Sequence, residues 1–440
     1  MGSDRKIEMI IVSEEIIKPS SPTPESLREY KFSFLDQIVV TCYIPAIFFY
    51  QNPSFSSSST VVDHLKKSLS NTLSKFYTFA GRIKGNSYLL CDDSGALFIE
   101  ARVHSQLSHQ ALQNGTVFQN LNPYLGIEPY ADCDASSMDE RRNIPLIVKV
   151  SLFDCGGVAI GVCMSHKLGD LATIINFMNI WGALHRGDAK TGNLNLYLGY
   201  KYFPPLENIP QSYMGPINNL VMKRFVFDKE KIAEIKKLMT SSNISNPTRV
   251  ESVSTFIWKH IVDVVKSKKS SKTKIFVLSH AVNLRPRISI NNSPDPNTII
   301  GANFSVVSHG VSSEEEMKFE DLAKVVRNCI RKIDHELPMI IENGSVYYYN
   351  ILGEAMGFFS KPDLGLCFFS SWCNFPVYEV DYGWGKPVSV GTVAMPIKNG
   401  VNLMDTRDGE GIEAWITMSE DEMAMLPHEL LSLQNSHLHP

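Results

Sequence analysis

The stretch that decides the fold reads Leu146-Ile-Val-Lys-Val-Ser-Leu-Phe153, Asp154-Cys-Gly-Gly157, Val158-Ala-Ile-Gly-Val-Cys-Met-Ser165, His166-Lys-Leu-Gly-Asp170. Two eight-residue runs rich in Val, Ile and Leu flank a Gly-Gly turn, so they predict an antiparallel hairpin. Immediately beyond it, Leu171, Ile174, Ile175, Met178 and Trp181 fall on one helical face through Leu184. Ser165 to Asp170 therefore lies where a strong strand ends and a helix begins.

Working outward, Pro19 to Pro24 reads as an extended lead-in. Ile38 to Tyr50 favours strand, and Val61 to Phe79 has the spacing of a helix. Thr191 to Pro216 is rich in Gly, Asn and Pro and reads as a crossover. Val221 to Phe227 alternates like a strand, and Thr248 with Glu251 has the spacing of a capping box opening a helix. Strands are predicted at 275–284, 366–371, 387–395, 401–405 and 412–418, and Ser419 with Glu422 repeats the capping spacing for a last helix. Mixed strands and helices in both halves predict an α/β sandwich of two similar-sized domains with mixed sheets. The expected division is 1–200, a crossover at 201–220, and 221–440.

With 44% apolar and 20% charged residues, the 440-residue chain is no disordered polymer and has material for sizeable cores. Lys plus Arg total 42 against 46 for Asp plus Glu, a net charge of −4. That balance excludes a global basic footprint for nucleic acid or an anionic membrane, while leaving room for a local cationic pocket. The first residues lack the apolar core of a secretion signal, and Lys6 stands where a myristoylation motif has Ser or Thr. Ile38 to Tyr50 is too short to span a bilayer and is broken by Pro45. A cytoplasmic protein without a membrane span is expected. The eight cysteines form no CxxC pair, so no zinc ribbon, thioredoxin-like motif or metal site is expected. The sequons at Asn114 and Asn243 read as chance matches.

Several common sites are absent: GxSxG, GxxxxGK[ST] and HExxH do not occur. Gly409-Glu-Gly411 lacks the third glycine of a dinucleotide loop. The informative segment is Ser165-His166-Lys-Leu-Gly-Asp170. Histidine titrates near neutrality and is the usual general base, with Asp170 able to orient it. Spacing alone favours the plainer reading, His166 as a strand-end surface residue and Asp170 as an N-cap. Cys163 lies three residues before His166, on the opposite strand face, so a Cys–His pair is not expected. In Asp381-Tyr-Gly-Trp-Gly385-Lys-Pro387, two glycines around a Trp demand a special turn, read as a rigid loop anchored by a buried indole.

His166-Lys-Leu-Gly-Asp170 and Asp381-Tyr-Gly-Trp-Gly385 resemble the paired HxxxD and DFGWG motifs of the BAHD family of plant acyl-CoA-dependent acyltransferases. Leu35-Asp-Gln37, Ala80-Gly-Arg82, Val282-Asn-Leu-Arg285 and Ser371-Trp-Cys373 resemble the family too, so the likeness covers nearly the whole chain. Lys18–Pro24, Val221–Lys231 and Asp421–Pro427 are similar to members acting in monoterpene indole alkaloid biosynthesis. Leu171 replaces the usual Gly after HxxxD, as in that branch, and Tyr382 replaces the Phe of DFGWG.

The resemblance implies a two-domain, chloramphenicol acetyltransferase-like fold with a solvent channel at the domain interface. It implies that His166 takes the proton of an acceptor hydroxyl as that oxygen attacks the thioester, with no acyl-enzyme. Asp170 would pair with Arg285, and Ser370 and Trp372 would donate to the oxyanion. Asp381 would be needed for activity without carrying a proton, its loop shaped by Gly383, Trp384 and Gly385. The helix start at Thr248, Ser252 and Ser254 would meet CoA phosphates, whereas the Lys266–Lys272 run reads as a solvated loop. No permanently bound cofactor is implied. The co-substrate would be acetyl-CoA or a related acyl-CoA, the acceptor an alkaloid alcohol and the enzyme a monomer. Alternatives are malonyl-CoA or another donor, a non-alkaloid alcohol or amine, and a non-catalytic homologue.

Overall fold

The computed structural model describes residues 8–51, 58–107, 121–130, 140–188, 199–212, 219–241, 244–268, 271–288, 303–313 and 318–426. Among them the strands are β1 (Met9–Ile17), β2 (Glu29–Lys31), β3 (Tyr43–Tyr50), β4 (Arg82–Lys84), β5 (Tyr88–Leu90), β6 (Ala96–Val103), β7 (Leu146–Phe153), β8 (Val158–Ser165), β9 (Leu220–Phe227), β10 (Ile275–Asn283), β11 (Ser305–Ser313), β12 (Leu364–Ser371), β13 (Ser389–Gly391), β14 (Gly400–Asp405) and β15 (Ile412–Ser419). The helices are α1 (Phe34–Ile38), α2 (Ser58–Lys75), α3 (Leu171–Arg186), α4 (Lys229–Ser241), α5 (Arg249–Ser267), α6 (Phe319–Glu342), α7 (Gly344–Phe359) and α8 (Glu420–Met425).

The chain separates into two compact units, one of residues 1–216, 288–304 and 375–393, the other of 217–287, 305–374 and 394–440. The first crossing falls inside the expected 201–220 segment, but the chain then returns twice. The Asp381–Gly385 stretch therefore belongs to the first unit, not to the C-terminal domain as expected. Strand pairing is the reason. β13 joins β3 antiparallel, with Ser389 opposite Phe49, and Val388 N–H donates to the Phe49 carbonyl at 2.8 Å.

The first unit is built on a mixed six-stranded sheet in the order β1-β6-β7-β8-β3-β13. The predicted hairpin forms, from Leu146 opposite Met164 to Leu152 opposite Val158. β7 and β8 are central and every residue of both is buried, including Lys149 and Ser151 of β7, where Lys149 Nζ donates to the Pro123 carbonyl at 2.8 Å. The 38–50 strand is shorter than predicted. Ser33 and Asp36 form a capping box that commits residues 34–38 to α1, so β3 begins at Tyr43. Pro45 is tolerated because β13 pairs only Ile47 to Phe49, leaving that side of Pro45 without a ladder. The strand expected at 387–395 shrinks to the three residues of β13. A separate small sheet has the order β2-β5-β4. On α3, Leu171, Ile174, Ile175, Met178 and Trp181 are all buried, as their spacing predicts.

The second unit's sheet has the order β11-β10-β12-β14-β15-β9. β10, β12 and β14 are mutually parallel, and the others pair antiparallel. Phe256, Ile257, Ile261, Leu278, Phe369, Leu403 and Ile416 belong to its core. The Thr248–Glu251 capping box forms with both bonds present. The second predicted box does not: Ser419 takes the N-cap position of α8 without a side-chain cap bond, because Glu422 instead pairs with Lys268 and Lys398. Gly409–Gly411 lies in the turn between β14 and β15, and no dinucleotide loop forms. Cys133, Asn114 and Asn243 lie outside the described residues, and the seven described cysteines are free thiols. Among the described residues no helix is long and apolar enough to cross a membrane.

Candidate active site

β8 ends at Ser165, residues His166–Leu168 make a single 3-10 turn, and Asp170 occupies the N-cap position of α3. The turn is pinned through backbone and side chain alike. His166 N–H donates to the Cys42 carbonyl at 2.9 Å, and the His166 carbonyl accepts from Asn303 Nδ2 at 2.8 Å. His166 Nδ1 lies 3.1 Å from the Gly169 carbonyl oxygen. A carbonyl only accepts, so Nδ1 carries the proton and Nε2 presents a lone pair. Burial pushes the imidazole below its ordinary pKa, while hydrogen bonding to the backbone of His166 and Gly169 and the Asp170 charge pull the other way. The side chain is therefore a neutral base at pH 7.

Asp170 is buried, and its Oδ2 accepts from the Phe304 backbone N–H at 3.2 Å. It makes no side-chain cap bond to α3. Its carboxylate thus ties the strand-end turn to the 303–304 segment, a role different from the N-cap that spacing alone allowed.

Three neighbours had been given no role from sequence. Lys167 is fully buried, and its Nζ donates to the carbonyls of Asp36, Gln37 and Val39 and to Asn86 Oδ1 over 2.8–3.2 Å. Burial pulls its pKa down to about 8. Asp36, also fully buried, accepts from Ser33 and from Asn303. The Ser33–Asp36 capping spacing could have pointed to Asp36. Asn303 has no local signal, since its partner His166 is 137 positions away in sequence. Cys163 is inert: it is buried, its Sγ faces the Ile127 carbonyl, and its thiol is pushed up to about 12.

The Asp381 loop forms a second locus of the same unit. Asp381 Oδ1 accepts from Gly383 N–H at 2.7 Å and Gly385 N–H at 3.0 Å. Both glycines have left-handed φ, +97° and +99°, which a side chain would resist. The loop's anchor is Tyr382, not the expected indole. Tyr382 is 2% exposed and stacks on the half-buried Trp384 at 5.3 Å, with Tyr50 and Trp181 edge-on to Tyr382. Arg186 at the far end of α3 donates to the Asp381 carbonyl. The loop meets α3 at Gly182 and Arg186, so the helix separates it from Asp170 by about 18 Å or more.

The remaining predicted residues belong to the second unit. Arg285 follows the C-terminal end of β10 and is fully buried, with N–H and Nη1 at 3.0 and 3.4 Å from Asn283 Oδ1. Ser370 and Trp372 lie at the C-terminal end of β12, where Trp372 N–H donates to the Leu403 carbonyl at 2.6 Å. β10 and β12 are adjacent and parallel, so all three residues gather at the carboxyl edge of one sheet, the edge at which α/β sheets bind ligands. At the helix start proposed for phosphates, Thr248 and Ser252 already have partners within the helix. Thr248 and Glu251 cap each other, Ser252 Oγ donates to the Thr248 carbonyl at 2.8 Å, and Ser252 and Ser254 are closed to solvent. An anion there would face the Glu251 carboxylate. Of the Lys266–Lys272 run, 269 and 270 lie outside the described residues, and Lys268 pairs with Asp421 and Glu422.

Residues 6–432 match the Transferase family. The chain belongs to this family, the BAHD acyltransferases. The acyltransferase is 45% identical to stemmadenine O-acetyltransferase of Catharanthus roseus, over 97% of this chain and 98% of that one. It is 43% identical to vinorine synthase of Rauvolfia serpentina, over 98% of both. A crystal structure of vinorine synthase superposes with a TM-score of 0.83 at 42% identity, covering 97% of this chain and 98% of that one. F. sporotrichioides TRI101, solved with coenzyme A and T-2, shares the fold with a TM-score of 0.72 at 15% identity, over 90% of this chain and 96% of that one. These likenesses bear out the expected two-domain α/β acyltransferase with mixed sheets.

Proposed function

We propose that the acyltransferase moves an acetyl group from acetyl-CoA to a hydroxyl of a monoterpene indole alkaloid. The observation that carries the chemistry is the neutral His166 imidazole, whose Nδ1–H is committed to the Gly169 carbonyl and whose Nε2 holds the lone pair. The alkaloid acceptor rests on the likeness, over nearly full length, to stemmadenine O-acetyltransferase and vinorine synthase.

In this reading His166 Nε2 removes the acceptor's proton as its oxygen attacks the thioester carbonyl, then returns that proton to the departing CoA thiolate. General-base help of this kind is worth about 10²–10⁴-fold. Ser370 Oγ and the Trp372 indole N–H donate to the tetrahedral oxyanion. Asp381 shapes its loop rather than moving a proton. No acyl-enzyme forms, in keeping with the inert Cys163. The enzyme works in the cytoplasm as a monomer, and gel filtration checks the second point.

The test is a panel of indole alkaloid alcohols offered to the purified enzyme with acetyl-CoA or malonyl-CoA, read by mass spectrometry. Acetyl esters with acetyl-CoA are expected. Product from malonyl-CoA alone would overturn the donor, and acetylation of none of the alkaloids would overturn the acceptor. A folded His166→Ala variant that keeps wild-type turnover would remove the general base.

A further inference from the structure

The hydrogen bonds behind His166 converge on one side chain that takes no part in the chemistry. Asn303 is fully buried. Its Nδ2 donates at 2.8 Å to the His166 carbonyl and at 2.9 Å to Asp36 Oδ1, and its backbone N–H donates to the same Asp36 oxygen at 2.7 Å. The other Asp36 oxygen accepts from Ser33 N–H at 2.8 Å and Ser33 Oγ at 2.7 Å. Both side-chain partners of the Asn303 nitrogen are pure acceptors, so only the NH2 end of the amide fits there. Asp36 thus fixes the amide, and the amide fixes the peptide that carries the base.

The other contacts to the turn come from the 36–42 segment, from Asn86, and from the Phe304 N–H that donates to Asp170 Oδ2 at 3.2 Å. Cys42 holds the His166 N–H, and Lys167 Nζ binds the carbonyls of residues 36, 37 and 39 together with Asn86 Oδ1. Among the described residues, Asn303 is the side chain that holds the His166 carbonyl from a segment remote from the 36–42 stretch.

We infer that Asn303, oriented by Asp36, is a positioning residue for the general base, an inference that rests on His166 being that base. Removing the Asn303 amide releases the His166 peptide on one side, and a displacement of about 1 Å at the base costs about 10²-fold in rate. The loss falls on kcat, because neither substrate touches Asn303.

Steady-state kinetics of Asn303→Ala and Asn303→Asp test this, alongside His166→Ala and with folding checked by circular dichroism. Asn303→Ala lowers kcat about 10²-fold and leaves both KM values within about threefold. Asn303→Asp keeps the shape but sets an acceptor against two acceptors. It is as impaired as the alanine variant at pH 8. It recovers relative to that variant at pH 6, as the new carboxyl, its pKa raised beside Asp36, protonates and donates. A role in packing alone would leave the near-isosteric Asp variant at wild-type rate at both pH values. Should the alanine variant not fold, Asn303→Leu, which fills the space without a donor, carries the same kcat-against-KM measurement. A folded Asn303→Ala or Asn303→Leu with wild-type kcat, an Asp variant as active as wild type, or a loss lying in KM overturns the inference. If His166→Ala turns over like wild type, the base assignment itself fails, whatever Asn303 does.

Discussion

Gly182 and the Asp381 carbonyl are in such close contact that a Cβ on Gly182 would lie 2.4 Å from the carbonyl oxygen. One turn further along α3, Arg186 donates to the same oxygen. The two motifs, about 200 residues apart in sequence, are thus joined by one helix: Asp170 stands at its start and the Asp381 loop rests on its last turn. An Asp381 at the far end of α3 is out of reach of a proton at His166, and its loop bears on the base through the seating of α3.

Gly182→Ala is accordingly expected to force helix and loop apart and to lower stability by about 1–3 kcal/mol. Urea denaturation measures it. A midpoint unchanged from wild type would show that the contact relaxes without cost.

Asp381 is expected to tolerate Asn better than Ala. The amide oxygen of Asn can still accept from Gly383 and Gly385 N–H, whereas Ala leaves both to water and releases a turn held at left-handed φ. Asp381→Ala should cost about 1 kcal/mol in thermal unfolding, and Asp381→Asn less. Equal losses in the two variants would mean that charge, not acceptance, holds the loop.

The elements around these residues were legible to the extent that their signals are local. The 146–165 hairpin, the α3 stripe and the Thr248 capping box depend on neighbours a few positions apart, and each formed. The Ser419–Glu422 box had the same spacing and failed because Lys268 and Lys398, remote in sequence, claimed Glu422. β1 opens on the apolar run Met9-Ile-Ile-Val12, but Ser13-Glu14-Glu15 interrupts it at the centre of a sheet-edge strand whose pairing comes from β6. The same divide runs through the site. His166 and Asp170 share one turn and are visible in a motif. Asn303 and Asp36 reach that turn across long sequence separations, which a pattern along the chain does not register.

The pH dependence of catalysis follows from His166. Burial holds its pKa below the ordinary histidine value of about 6.5. The base is active when neutral, so kcat/KM stays on its plateau as pH falls to that value and drops only below it. A pH profile of kcat/KM for the acceptor, with the acyl-CoA saturating, fixes the limb. An acid limb centred above pH 7 would contradict the buried, neutral imidazole.

Lys167 gives a second pH signature, this time in stability. Its pKa is pulled from 10.5 to about 8 in the folded protein by burial. Between those values the unfolded chain binds more protons than the folded one, so this group makes stability rise with pH across that window. Below pH 8 the buried ammonium exerts its full penalty, on the order of 3 kcal/mol. Lys167→Met removes the titration. The difference in unfolding free energy between wild type and variant is expected to change from pH 7.5 to 9.5 in favour of wild type. Parallel curves would mean that the four oxygen acceptors around Nζ compensate the charge completely.

The oxyanion assignment makes the sharpest demand on the second unit. Ser370 and Trp372 lie at the carboxyl end of β12, where a parallel sheet presents side chains to ligands. The Trp372 backbone is locked to Leu403, so its indole has a fixed origin from which to aim. If Ser370 Oγ donates to the tetrahedral oxyanion, the bond is stronger in the transition state than in the ground state, and its loss appears in kcat rather than KM. Ser370→Ala is expected to lower kcat by about 10²-fold with KM for the acyl-CoA little changed. Ser370→Thr keeps the hydroxyl and should retain part of the rate, which separates donation from packing. Trp372→Phe removes the N–H and keeps most of the ring, so a fall in kcat of similar size would mark the indole as a donor. A Phe variant with wild-type kcat would leave Trp372 a packing residue, and the oxyanion would then rest on Ser370 alone.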